Sequence, residues 1–163
     1  MVTPRNLTPA GYIHLARSGV LKERAEALET LADHCRLCPC ECGAERSLDQ
    51  RGQCGAGWDI ELASSNIHRG EEPPLSGSGG SGTLFFYHCP GRCLFCQNWP
   101  ISQVHSGNPI SPEELAEKML TLQNRGAHNI NLVTGVHYLH RFVRALGIAA
   151  GKGLLIPIVH NSS

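Results

Sequence analysis

The strongest constraint on the fold is the alternation of strand-like and helix-like segments between residues 83 and 160. Three short apolar stretches, "TLFFY", "NINLVT" and "LLIPIVH", have the composition of buried strands. Between them, "SPEELAEKMLTLQNRG" and "HYLHRFVRALGIAAG" carry apolar residues at helical spacing. Strands and helices that alternate in this way pair the strands in parallel through right-handed crossovers. The sequence therefore predicts an α/β fold whose three parallel strands form the first part of a (β/α) TIM-type barrel.

The rest of the chain divides into two further segments. Residues 1–34 predict N-terminal helices, with Thr8 and Pro9 at the start of the first helix. Residues 35–80 form a cysteine-rich lobe, a candidate strand "DIELAS" and a connecting segment, and residues 81–163 hold the predicted barrel strands. A closed barrel of this type takes about 250 residues, so we expect the chain to be the front part of a larger protein.

Composition and charge narrow the function classes. The chain has 14 basic and 14 acidic residues, and no run of Lys or Arg exceeds two. Nucleic acid and anionic membranes both attract clustered positive charge, so neither is expected as a partner. No secretory leader and no apolar run of about 18 residues is present, which predicts a cytoplasmic protein. Eight cysteines in a reducing compartment favour metal ligands over disulfides.

Three of these cysteines lie within eight residues, in the segment "CPGRCLFC". We call residues 89–96, with Cys89, Cys93 and Cys96, the three-thiol loop. It follows the first predicted barrel strand, at the end of the strand that carries the site in parallel α/β folds. Three ligands leave one coordination position open, as catalysis requires. The alternative is a structural zinc site whose fourth ligand is a histidine, with His88 as the candidate.

The spacing of this loop and the wider sequence resemble a known family. "CPGRCLFC" matches the CxxxCxΦC signature of the radical S-adenosylmethionine enzymes, with Phe95 at the aromatic position. "CRLCPCECGAER", "RGQCGAG", "EEPPLSGSGGSGTLFF" and "LLIPIVHNSS" resemble the branch of iron–sulfur proteins related to pyruvate formate-lyase activating enzyme. The resemblance runs from about residue 12 to the end. It also implies that Ser76 to Gly82 is part of the fold and not a flexible linker.

The resemblance implies a [4Fe-4S] cluster held by Cys89, Cys93 and Cys96, with S-adenosylmethionine on the open iron. Reductive cleavage of S-adenosylmethionine would give a 5′-deoxyadenosyl radical that abstracts a hydrogen atom. The chain would then be an oxidoreductase served by a flavodoxin- or ferredoxin-type electron donor. Its substrate would be a protein or a small molecule, with activation of a glycyl-radical enzyme as the family-level expectation. The tentative S-adenosylmethionine contacts are Phe95 near the adenine, Thr134 and Gly135 where the family has a GGE motif, and Asn161.

The other five cysteines form a first cysteine group near the N-terminus. Cys35-x2-Cys38 has the spacing of a metal-binding knuckle. The family pattern implies Cys35, Cys38, Cys42 and Cys54 as ligands, with Cys40 left over. Four thiolates close a coordination shell, which suits either a structural zinc or an auxiliary iron–sulfur cluster.

Two other function classes stay open at this point. One is a non-catalytic, truncated iron–sulfur or zinc-binding protein, and the other is an electron-transfer or cluster-carrier protein. Among the histidines beside the later strands, only His137 is placed to reach the three-thiol loop, although a polar residue at a helix start explains it equally well.

Overall fold

The computed structural model describes residues 9–162, and its centre is a five-stranded mixed sheet. Thr8, the predicted N-cap, lies outside the described residues. The first helix does not open at Pro9 as predicted: it begins two residues later, at Gly11, with Ala10 as its N-cap. The strand order is β3-β1-β2-β4-β5. The strands are β1 (Ile60–His68), β2 (Ser81–Phe86), β3 (Pro109–Ile110), β4 (Ile130–Val133) and β5 (Ile158–Asn161).

Within residues 9–162 the chain also forms five α-helices. They are α1 (Gly11–Arg17), α2 (Val20–Asp33), the single-turn α3 (Pro73–Ser76), α4 (Pro112–Asn124) and α5 (Leu139–Gly151). Short 3₁₀ turns cover Arg46–Leu48 and Val136–Tyr138, and a π-type turn covers Pro100–Val104. No helix within residues 9–162 is long and apolar enough to cross a bilayer.

The prediction of a partial (β/α) TIM-type barrel is wrong. Strands β2, β4 and β5 do pair in parallel, as the alternation of strands and helices indicates. The other edge of β2, however, pairs antiparallel with β1, and β1 pairs antiparallel with β3. A TIM barrel contains parallel strands throughout. The nine-residue β1 therefore takes the edge that a parallel neighbour would occupy, and the sheet is mixed.

The main core lies between the sheet and the helices α4 and α5. Helix α4 begins with the capping box that its sequence contains, because the Ser111 hydroxyl accepts from the Glu114 N–H and the Glu114 carboxylate accepts from the Ser111 N–H. Helix α2 packs on α5, and α5 packs on α4. The buried side chains of this core include Leu84, Phe86, Leu115, Met119, Leu122, Ile130, Leu132, Phe142 and Leu146.

The segment from Ser76 to Gly82 is packed, as the resemblance implies. A Cβ atom added at Gly79 would lie 2.0 Å from the Gly126 carbonyl oxygen, so the two backbone segments are in direct contact there. Gly80 adopts φ +86, in the left-handed region that glycine occupies at little cost. These glycines allow the chain to turn closely beside α4 before it enters β2.

Candidate functional site

The three-thiol loop begins three residues after β2 ends at Phe86. His88 and Arg92 adopt left-handed conformations, with φ of 69° and 42°, which turn the chain sharply on both sides of Cys89. The His88 N–H donates to Ile101 O at 3.0 Å, and the Gln103 side chain donates to Cys93 O at 3.0 Å. These two hydrogen bonds therefore attach the turn Pro100–Val104 to the loop.

The three thiols of this loop are free and reach the surface to different degrees. Cys93 is exposed, whereas Cys89 and Cys96 are half-buried. The Gly91 N–H donates to Cys89 Sγ at 3.4 Å, and the Ser102 hydroxyl donates to Cys96 Sγ at 3.4 Å. These two hydrogen bonds orient the sulfur atoms of Cys89 and Cys96.

The structure brings Thr134 next to this loop. A small cavity of about 40 Å³ is lined by Cys89, Cys96 and Thr134 together with residues of β2, β4 and the turn that follows the loop. Thr134 has φ of 53°, a conformation that non-glycine residues rarely adopt and that recurs at functional sites. Its N–H donates to Asn161 O at 3.1 Å, which ties the end of β4 to β5.

The other predicted cofactor residues differ in position. Gly135 is buried, and a Cβ added there would lie 3.0 Å from the Phe86 ring. Asn161 ends β5, and its side-chain amide donates to Asn131 Oδ1 at 2.9 Å. Phe95 is 93% exposed. Thr134, Gly135 and Asn161 thus lie at the carboxyl ends of adjacent parallel strands, whereas Phe95 projects from the loop into solvent.

A buried carboxylate at the base of the loop is a feature that sequence reasoning missed. The Glu61 side chain accepts from the Gly107 N–H at 2.8 Å, from Arg51 Nη1 at 2.9 Å and from His88 Nε2 at 3.1 Å. Burial alone would raise the pKa of Glu61, but these three donors outweigh it and hold the pKa below its ordinary value. The sequence signal was a carboxylate inside the apolar strand "DIELAS".

The five thiols of the first cysteine group differ in how far they are exposed to solvent. Cys35 is buried, Cys40 is exposed, and the other three are half-buried. Gly52 lies beside two of the thiols, since a Cβ added there would lie 3.3 Å from Cys54 Sγ and 3.4 Å from Cys42 Sγ. Burial raises the pKa of Cys54 and is also the largest cause of the raised pKa of Cys38. Burial alone would raise the pKa of Cys42, but hydrogen bonds from backbone N–H groups and from Cys35 outweigh burial and lower the pKa.

The thiols of this group are neighbours, but they do not surround a common point. Within residues 9–162, no three His, Cys, Asp or Glu side chains converge closely enough to hold a metal ion. Binding of a metal at either cysteine segment would therefore require the thiols to rotate or move closer together.

The two cysteine segments pack against each other. Cys40 Sγ lies 4.0 Å from Pro90 O, and Arg92 Nη1 donates to Gln53 O at 3.1 Å. The His88 ring covers Gly55, where an added Cβ would lie 2.8 Å from Nδ1. Residues distant in sequence thus form one continuous cysteine-rich surface.

His137 lies beneath the three-thiol loop. It is buried, and its Nε2 donates to Tyr87 O at 3.0 Å in the tautomer that this contact requires. Burial lowers the pKa of His137 to about 4, so the side chain is neutral near pH 7. This places His137 as a neutral support for the backbone that leads into the loop.

No family model matches the chain, and no solved structure matches it. A search of curated proteins finds a similar sequence in an uncharacterised protein of Methanocaldococcus jannaschii, MJ0674. The two are 28% identical over 158 residues, which cover 93% of this chain and 45% of the relative. The chain therefore spans less than half the length of that relative.

Proposed function

We propose that the chain is a radical S-adenosylmethionine iron–sulfur protein, or the part of one that holds its cluster. The observation that carries this proposal is the position of three free thiols on one loop at the carboxyl end of β2. Thr134 and Asn161 lie at the carboxyl ends of the two strands that follow in the sheet. Ligands of open α/β sheets bind at this edge.

The donor set fits a [4Fe-4S] cluster with one iron left for a small-molecule ligand. Cysteine thiolates are the usual ligands of such clusters, and this loop supplies three of them. Gly91 and Ser102 would orient Cys89 and Cys96 as ligands by donating to their sulfur atoms. When bound, the cluster would supply the electron that cleaves S-adenosylmethionine.

The residues at the strand ends would orient S-adenosylmethionine. Its amino and carboxylate groups would need polar partners beside the loop, and Thr134 lines the cavity next to Cys89 and Cys96. Gly135 is buried against the Phe86 ring, so its contribution would be to let the backbone pack closely on that ring beside the cavity. Phe95 would reach the adenine only after the loop closes, since its ring is 93% exposed.

The surface around the loop suits a protein partner. Three apolar side chains on or just after the loop are exposed: Leu94 at 99%, Phe95 at 93% and Trp99 at 51%. Exposed apolar side chains of this kind mark protein–protein contacts. We propose that an electron donor of the flavodoxin or ferredoxin type docks here. A glycyl-radical enzyme as the substrate is the further extension of this proposal.

An electron-transfer function is the second candidate. The observation that favours it is the contact between Cys40 Sγ and Pro90 O, at 4.0 Å. Cys40 is exposed and has no place in the four-ligand set of the first group. If its thiolate closed the coordination of the cluster, no iron would be left for S-adenosylmethionine.

Cluster assembly in two cysteine variants separates these functions. The full chain and its Cys96→Ala and Cys40→Ala variants are reconstituted anaerobically with iron and sulfide, and iron content and electron paramagnetic resonance are recorded. We expect Cys96→Ala to lose the three-thiol-loop cluster and Cys40→Ala to retain it, with a signal that shifts when S-adenosylmethionine is added. Loss of the cluster in Cys40→Ala would favour the electron-transfer function.

A further inference from the structure

Arg46 is the largest fully buried side chain among those below 2% exposure, and it carries a positive charge. It begins the 3₁₀ turn that follows the first four cysteines of the first group. An isolated charge that is removed from water costs several kcal/mol even after the structure relaxes, unless an opposite charge lies nearby. The question is therefore which group compensates Arg46.

The hydrogen bonds of Arg46 are satisfied by backbone carbonyl groups. Nη1 donates to His137 O at 2.7 Å, Nε donates to Gly57 O at 2.9 Å, and Nη2 also donates to Gly57 O. The guanidinium carbon lies 5.7 Å from the centre of the Tyr138 ring. These contacts orient the guanidinium, but carbonyl and ring dipoles do not supply a full negative charge.

No carboxylate fills that role within residues 9–162, where Arg46 has no ion pair with Asp or Glu at 4.0 Å or less. Glu61, the buried acid of the same region, is already bound by Arg51, His88 and the Gly107 N–H. The remaining groups that can become negative are the thiols. Arg46 Nη1 lies 3.9 Å from Cys35 Sγ, which is itself buried.

We propose that Arg46 is the counter-cation of an anionic tetrathiolate centre, which Cys35, Cys38, Cys42 and Cys54 form when their side chains rotate together onto a soft divalent ion of the zinc type. A divalent ion with four thiolates carries net negative charge, and a buried cation beside it offsets that charge. Arg46 is a positioning residue: it donates to Cys35 and fixes the chain between the cysteines and His137.

The inference rests on the metal site proposed for the first cysteine group, and it does not depend on the chemistry of the three-thiol loop. The role of Arg46 also links the first cysteine group to the three-thiol loop. Arg46 binds the His137 carbonyl, and the His137 ring binds the Tyr87 carbonyl, one residue before His88. A metal at the first group would therefore brace the strand end that leads into the three-thiol loop.

The test compares Arg46→Lys with Arg46→Gln. Both lose the planar fork of the guanidinium, but only the lysine keeps the charge. The full chain is used with Cys89, Cys93 and Cys96 replaced by alanine, so that the three-thiol loop binds no metal. Co²⁺ is titrated anaerobically against a chelator, and its sulfur-to-metal charge-transfer band is followed. Arg36 is an exposed neighbour of Cys35, and Arg36→Gln is the matched control.

We expect Arg46→Gln to weaken Co²⁺ binding by about 10- to 100-fold, the usual loss when an outer-shell partner of a metal site is removed. Arg46→Lys should bind markedly more tightly than Arg46→Gln, and Arg36→Gln should bind like the parent. If Arg46→Gln does not fold without metal, the same comparison is made from the Co²⁺ concentration at which each variant refolds.

Equal Co²⁺ affinity of the lysine and glutamine variants would overturn the role of Arg46 as counter-cation. Failure of the parent itself to bind Co²⁺ with a charge-transfer band would instead overturn the proposed metal site. The two failures are thus distinguishable. Neither result bears on whether the three-thiol loop binds an iron–sulfur cluster.

Discussion

At the scale of single residues, Glu61 joins three segments that are far apart in sequence. Its carboxylate binds Arg51 of the cysteine-rich lobe, His88 at the entry to the three-thiol loop, and the Gly107 N–H before β3. The side chain is 2% exposed, whereas Arg51 is 55% exposed. The Gly107 N–H, Arg51 and His88 together hold the buried charge of Glu61, and its loss would loosen the loop entry.

We expect Glu61→Gln to lower the free energy of unfolding by about 1–3 kcal/mol, the range for hydrogen bonds to a charged group. The amide keeps the shape of the side chain but cannot accept from all three donors. Urea unfolding at pH 7 measures the loss, and Glu72→Gln, at an exposed position, is the control. Equal midpoints for the two variants would contradict the role of Glu61.

The same carboxylate gives a pH dependence with a definite sign. Because the pKa of Glu61 is lower in the folded state than its ordinary value of 4.5, its stabilising contribution is fully present above pH 4.5. That contribution is lost as the pH falls below 4.5 towards the folded-state value. The unfolding free energy of Glu61→Gln should therefore depend less steeply on pH in this range than that of the parent.

At the scale of elements, helices α1, α2, α4 and α5 and the parallel strands follow from the sequence, whereas the single-turn α3 and the antiparallel edge do not. Local signals such as the capping box at Ser111 and Glu114 define helix α4 without help from the rest of the chain. The pairing partner of β1 is decided by contacts distant in sequence, so "DIELAS" predicts a strand but not its neighbours. The two-residue β3 carries too little sequence to be recognised.

The candidate site likewise contains residues that the sequence identifies and residues that it does not. The spacing of Cys89, Cys93 and Cys96 identifies the three-thiol loop from sequence, because metal ligands on one loop are close along the chain. Arg46 and Glu61 could not be found by spacing, since their partners lie 91 and 46 residues away, at His137 and Gly107. Only the folded chain brings these charges to the cysteines.

The glycine-rich segment before β2 gives a test at the element scale. We expect Gly79→Ala to lower the free energy of unfolding by about 1–3 kcal/mol or more, the usual cost of overpacking. The reason is that the added Cβ would lie 2.0 Å from the Gly126 carbonyl oxygen, which is backbone and cannot rotate away. Thermal unfolding followed by circular dichroism measures the difference.

Gly151→Ala is the matched control, because no atom lies within 4 Å of a Cβ built at that position. Its unfolding midpoint should stay close to that of the parent. If Gly79→Ala were equally harmless, the segment from Ser76 to Gly82 would behave as a flexible linker, and the close packing beside α4 would be wrong.

At the scale of the whole molecule, both cysteine segments lie together near the carboxyl end of β2. The loop after β2 contacts the cysteine-rich lobe through Cys40, Arg92 and His88. Beside it, the parallel strands β4 and β5 end at Val133 and Asn161. This arrangement leaves the three thiols accessible while the first group is partly covered by the loop.

We propose that the three-thiol loop leaves one iron of its cluster for S-adenosylmethionine. The most direct test is anaerobic reconstitution of the full chain, addition of a strong one-electron reductant and S-adenosylmethionine, and detection of 5′-deoxyadenosine by mass spectrometry. We expect 5′-deoxyadenosine from the parent and from Cys40→Ala, and none from Cys96→Ala. An intact, reducible cluster in the parent that yields no 5′-deoxyadenosine would contradict the proposal.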